Sequence, residues 1–333
     1  MAKWKGLIIV GLLIFGTTIG AFVVSNFSPK SVTTNIPLVV PQMSIDEKLS
    51  KFNFLDATKV LDLKKHYIVD FSDLKKELLK EREKQSFKSY IYFSYLNNNA
   101  WVGLGERDGF YAASLVKVPL AMATYKAIED GRLTLDVKYT ITKDDIDDGF
   151  GDLYKDGLGK TLTVKELVDT MLIHSDNTAK NSIQSIFSKL GVSDPMDDVY
   201  ANLGWDFLPS IESGGDPTRD QNYRQISTKV LSNMFLALYS GTYLSLEHSQ
   251  SILVDLAATP FNKQIDAGVP VGVSVAHKIG VSIPDKTFSD CGIVYAPNRN
   301  YILCVGVVGV DEAGANNFIS NISKTVYQYV INN

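Results

Sequence analysis

Ser114 and Lys117 stand at positions i and i+3, and the run behind them, Val118–Ile128, reads as helix. At that spacing two side chains share one helix face. A serine hydroxyl is a weak nucleophile until a base takes its proton. A lysine amine one turn away can take it if burial or a neighbouring cation lowers its pKa. Ser114 opens the helix, where free backbone N–H groups and the helix dipole favour developing negative charge. Pro119 falls in the opening turns, where a missing N–H does least damage. Leu115, Val116 and Val118 around Lys117 are apolar, which suits a buried amine. Taken alone, Ser114 reads equally as a helix N-cap and Lys117 as an exposed helix lysine.

Two further clusters carry polar chemistry. Ser175-Asp176-Asn177 follows a helical segment, Leu162–Ile173, and Lys278-Ile279-Gly280 closes a strand-like run, Val271–Ile279. Ser175 can relay a proton to a departing nitrogen, Asn177 can hydrogen-bond a substrate amide, and Asp176 can bond nearby backbone. By itself that tripeptide reads as a loop or cap. Lys278 can pair with a substrate carboxylate and raise acidity around Ser175. Gly280 would let substrate backbone approach a strand edge. The 4 histidines are scattered, with neither an H-E-x-x-H zinc spacing nor a G-x-S-x-G elbow. These absences argue against a zinc hydrolase and a Ser-His-Asp enzyme.

In this order and at these spacings the three clusters resemble S-x-x-K, S-D-N and K-T-G of the penicillin-recognising serine hydrolases, the class A β-lactamases and related D-Ala-D-Ala peptidases. The resemblance runs from about Ser89 to the C-terminus. It implies an α+β fold (an α/β sandwich), a mostly antiparallel sheet flanked by helices with an all-helical subdomain inserted and the active site at the seam. It implies Ser114 as nucleophile, Lys117 as its base, Ser175 as proton relay, Asn177, Lys278 and Gly280 as substrate contacts, and the backbone N–H groups of Ser114 and Val281 as the oxyanion hole. No cofactor and no metal are implied.

The chain departs from the family pattern in two places. Ile279 replaces the usual hydroxyl residue of the third motif, removing a hydrogen bond to a substrate carboxylate worth roughly 1.5–3 kcal/mol. Ser282 could compensate, and His277 has no family role. The family's deacylating glutamate falls at Glu212, but the E-x-x-L-N pattern around it is missing, so Glu212 also reads as a loop carboxylate. The motif spacing points to opening β-lactams through a Ser114 acyl-enzyme; the alternatives are cleaving D-Ala-D-Ala peptides of cell wall, or binding penicillin without turnover as a sensor or scaffold.

The elements that must position these residues come from patterning. The 333 residues suffice for a large core, and a net charge of -4 gives no reason to expect nucleic acid. Ser89–Leu96 alternates and is aromatic-rich, Asn97–Asn99 turns the chain, and Ala100–Gly105 returns as a second strand. From Ser114 to about Thr259 the pattern is helical with polar loops, including Ile226–Tyr239. Thr287–Ala296 and Tyr301–Val310 read as paired strands, and Gly314–Ile331 as a closing helix. A symmetric hairpin would set the 2 cysteines, Cys291 and Cys304, opposite each other. They read either as a disulfide or as two small apolar residues in a sheet.

Ahead of this, Gly6–Val24 is an uncharged, mostly apolar run preceded by Lys3 and Lys5. As a helix it would reach roughly 28 Å, the hydrocarbon thickness of a bilayer. The positive-inside rule then leaves the N-terminus in the cytoplasm. The expectation is a transmembrane anchor over 1–24, a tether over 25–43, a helical lead-in over 44–88 and an extracytoplasmic hydrolase domain over 89–333. A cleaved signal peptide is the competing reading.

Overall fold

The structure, a computed structural model, describes residues 68, 70–203 and 225–333. In chain order it opens with helix α1 (Ser72–Glu83) and strands β1 (Lys88–Tyr95), β2 (Ala100–Leu104) and β3 (Phe110–Tyr111). A 3-10 turn (Ala113–Val116) leads into α2 (Lys117–Glu129). There follow β4 (Lys138–Thr140), β5 (Thr161–Thr163), α3 (Val164–Ile173), α4 (Asn177–Lys189), α5 (Asp197–Leu203) and β6 (Gln225–Ile226). The chain closes through α6 (Thr228–Ser240), α7 (Leu246–Ala257), β7 (Val275–Ser282), β8 (Thr287–Val294), β9 (Tyr301–Val308) and α8 (Glu312–Asn332).

Strand β1 buries nearly every side chain, so both of its faces need cover. Tyr90 and Tyr92 join one core cluster, while Ile91, Phe93 and Tyr95 join another. The second cluster takes Leu74 and Leu78 of α1 and Phe318, Ile319 and Ile322 of α8; the first takes the apolar faces of α2, α3 and α6. The sheet is five-stranded in the order β2-β1-β9-β8-β7, with antiparallel neighbours throughout. Distant segments therefore complete it: Lys88 pairs with Val308 and Tyr95 with Tyr301. Helices α2–α7 are inserted between β2 and β7, which is the expected α+β arrangement.

Side-chain caps set the helix boundaries. Thr163 and Glu166 form a capping box at α3, and Ser227, Ser245 and Asp311 accept backbone N–H groups of α6, α7 and α8. The Ser227 cap starts α6 two residues later than the apolar pattern suggests, because Ile226 pairs with Phe110 in a separate two-stranded ladder. Likewise β7 begins at Val275 rather than Val271, which is fully exposed next to Gly272 at φ +95°. Cys291 and Cys304 are direct register partners in the β8–β9 pair, fully buried and disulfide-bonded, so of the two readings the bridge is the one found.

Among the described residues no helix is long and apolar enough to cross a membrane. The run Gly6–Val24, the tether over 25–43, most of the lead-in and Glu212 lie outside the described residues.

Candidate active site

The seam between sheet and helices holds a cleft of about 900 Å³ that Ser114 lines. Ser114 sits in the 3-10 turn that leads into α2, directly after Ala113, whose φ of +45° is unusual for a residue with a Cβ. Lys117 is the first residue of α2 and is 1% exposed. Its Nζ lies 2.9 Å from Ser114 Oγ and 2.7 Å from Asn177 Oδ1, and it also donates to the carbonyl of Ser175. Burial holds the Lys117 pKa well below the usual ammonium range, helped by the charges of Lys278 and Lys180; Asp176 and Asp147 oppose the shift. A neutral amine has two N–H donors and one lone pair. With the donors on Ser175 O and Asn177 Oδ1, the lone pair is left for the Ser114 hydroxyl proton.

Ser175 and Asn177 are brought here by the start of α4. Asp176 caps that helix through Ala179 N–H and takes Leu153 N–H with its other oxygen, 2.8 and 2.9 Å away. Both oxygens are thus committed to backbone. Ser175, just ahead of the cap, adopts φ +57° and is fully buried. Its Oγ is 3.4 Å from Lys117 Nζ and accepts a 2.7 Å bond from Lys278 Nζ. One hydroxyl therefore bridges two lysines, a path by which a proton can move from the nucleophile's base toward a leaving nitrogen.

Lys278 reaches Ser175, as its expected effect on the acidity there requires. It is 1% exposed, and its ammonium is held by Ser175 Oγ and by the carbonyl of Ile279 at 3.3 Å. Burial pulls its pKa down to about 7, with Asp290 acting in the opposite sense. The Phe261 ring lies 5.8 Å from its Nζ and meets Phe150 across the cleft, centroids 5.7 Å apart.

Gly280 has a packing reason that its motif does not state. A Cβ there would stand 2.6 Å from Ser289 Oγ and 2.8 Å from the carbonyl of Ala112. The glycine lets the nucleophile's turn lie against β7. Val281 lines the same cleft as Ser114, as the paired oxyanion-hole assignment requires. Ile279 also lines it, and Ser282 is engaged, donating to Asp285 at 2.6 Å, so its hydroxyl is already used.

Two features escaped the sequence reading. His277, on the face of β7 opposite to Lys278, is buried with its Nδ1 2.8 Å from Asp290 Oδ1. Asp290 also accepts the N–H of Ile265, which anchors the end of the cleft-wall segment carrying Phe261 and Gln264. The strand alternation around Lys278 was the available signal. Asp147, in the connection between β4 and β5, lines the cleft and accepts a 3.0 Å bond from Asn177 Nδ2; no motif marks it.

A buried amine beside a cleft-lining serine, relayed through a second serine to a second lysine on a sheet edge, defines with this fold a β-lactamase-type serine hydrolase acting on amide bonds. The chain belongs to the β-lactamase enzyme family, whose model matches residues 73–330. Beta-lactamase 3 of Bacillus cereus is 29% identical over 224 residues, 64% of this chain and 66% of that relative's length. A mutant of PBP-A, solved as an acyl-enzyme complex with penicillin G, superposes with a TM-score of 0.69 at 26% identity, covering 79% of this chain and 97% of that one. A β-lactamase from Sphaerobacter thermophilus shares the fold, with a TM-score of 0.69 at 23% identity over 80% of this chain and 99% of that one.

Proposed function

We propose that the protein opens β-lactam amides through an acyl-enzyme on Ser114, as an extracytoplasmic enzyme of the class A type held at the cell membrane by Gly6–Val24. The observation that carries the reading is Lys117 Nζ, desolvated and 2.9 Å from the hydroxyl of a cleft-lining serine. Ser114 Oγ attacks the lactam carbonyl as its proton passes to Lys117. The oxyanion forms against the backbone N–H groups of Ser114 and Val281. The proton then reaches the lactam nitrogen by way of Ser175, whose acidity Lys278 supports, and the C–N bond breaks. Water hydrolyses the ester, with Glu212 as the candidate base. The match to Beta-lactamase 3 supports this choice of substrate.

A second reading, a D-Ala-D-Ala carboxypeptidase or penicillin-binding protein acting on peptidoglycan peptides, is favoured by Ile279 in place of a hydroxyl and by the lost context of Glu212. The fate of a fluorescent penicillin separates the two. We expect label that appears and is lost from the wild type, and label that persists in Glu212→Gln. Label of equal, long lifetime in both would move the assignment to the second reading, and no label at all would reject both.

A further inference from the structure

The amide of Asn177 is gripped at both ends. Its Oδ1 faces Lys117 Nζ at 2.7 Å and its Nδ2 faces Asp147 Oδ1 at 3.0 Å. A carboxylate accepts hydrogen bonds only, and Lys117 approaches Oδ1 with a donor. Turning the amide over would set Oδ1 against a carboxylate oxygen and an NH₂ group against the lysine donor, losing both bonds. Asp147 is not a freely moving loop acid. Its Oδ1 also accepts the Gly149 N–H at 2.8 Å, its own N–H donates to Thr178 Oγ1 at 3.0 Å, and its carbonyl accepts the same hydroxyl at 3.2 Å. Thr178 is fully buried in the first turn of α4, so the loop is pinned to the helix that carries Asn177.

We propose that Asp147 is a positioning residue: its carboxylate fixes the orientation of the Asn177 amide, holding the carbonyl on Lys117 and leaving one N–H to meet a substrate amide in the cleft. The proposal rests on the reading of Ser114 and Lys117 as the acylating pair.

Asp147 has a second effect, on charge. Lys117 faces Lys278 from β7 and Lys180 from α4, which lower its pKa, and Asp176 and Asp147, which raise it. The base must be neutral to act, so acylation rises with pH through the Lys117 pKa. Removing the Asp147 charge lowers that pKa and moves the acidic limb of the rate profile to lower pH.

The test is acylation of the full-length protein across pH 5–10 with benzylpenicillin, which carries a side-chain amide, and 6-aminopenicillanic acid, which does not. Asp147→Asn is expected to lose up to ~10²-fold on the plateau with benzylpenicillin. It should lose much less with 6-aminopenicillanic acid, and its acidic limb should lie at lower pH. Both the substrate ratio and the limb are independent of how much of the sample is folded. Gly149→Ala provides a second route, since its Cβ would stand 3.0 Å from Asp147 Oδ1 and 3.3 Å from Asn177 Nδ2. It should shift the substrate ratio in the same direction with the acidic limb unmoved. An unchanged ratio in the folded variants, with the wild type acylated normally, overturns the proposal alone. A wild type that neither penicillin acylates overturns the underlying reading and the proposal with it.

Discussion

Replacing Lys117 with alanine is expected to slow acylation of Ser114 by about 10²–10⁴-fold, the usual loss for a positioned general base. The effect should be large because, among the described residues, Lys117 is the base hydrogen-bonded to the Ser114 hydroxyl, while Ser175 Oγ is held by Lys278 and Asp147 Oδ1 by Asn177 and Gly149. Truncation also leaves the Ser175 carbonyl and Asn177 Oδ1 without the donor they share. Lys117→Arg should not rescue the rate, since a guanidinium stays protonated. Stopped-flow acylation with a chromogenic β-lactam between pH 6 and 9 measures this. A rate near that of the wild type across the range would place proton abstraction elsewhere.

Gly280→Ala is expected to damage the site from behind. The added methyl would meet Ser289 Oγ at 2.6 Å, the Ala112 carbonyl at 2.8 Å and Leu115 Cγ at 3.0 Å. The serine side chain can rotate away, but the Ala112 carbonyl is backbone of the stretch that carries Ser114. The turn must therefore move off β7. Overpacking of this kind costs about 1–3 kcal/mol of stability, and a displacement near 1 Å at the nucleophile can cost ~10² in rate. A thermal melt paired with acylation kinetics on the folded fraction tests both parts. A stable variant that acylates like the wild type would show that the turn does not depend on this contact.

Much of the fold was legible because its signals are local. The alternation of Ser89–Leu96, the pairing of Thr287–Ala296 with Tyr301–Val310 and the closing helix Gly314–Ile331 each follow from spacing within a few residues. Ser114, Lys117 and the Ser175 tripeptide were legible for a related reason, since their chemistry needs short fixed intervals. What was not legible came from packing. Gly280 was recognised as a motif glycine, but its contact with the Ala112 carbonyl, distant in sequence and adjacent only in the folded chain, was not legible. Asp147 meets Asn177 across 30 residues of sequence, through a loop whose path no pattern specifies. The pairing of Lys278 with Ser175 was legible from the motif, but the near-complete burial of its ammonium was not, since that comes from tertiary packing. His277 could have been placed by strand alternation, but its partner Asp290 belongs to the neighbouring strand and depends on register.

Covalent acylation of Ser114 underlies every step of the proposed reaction. Intact-mass analysis of the protein after brief exposure to a slowly hydrolysed penicillin, followed by peptide mapping, measures it. A single adduct of the full mass of the β-lactam, as ring opening without loss of atoms requires, is expected on the peptide containing Ser114, with no adduct in Ser114→Ala. An adduct on another residue, or one that survives Ser114→Ala, would contradict it.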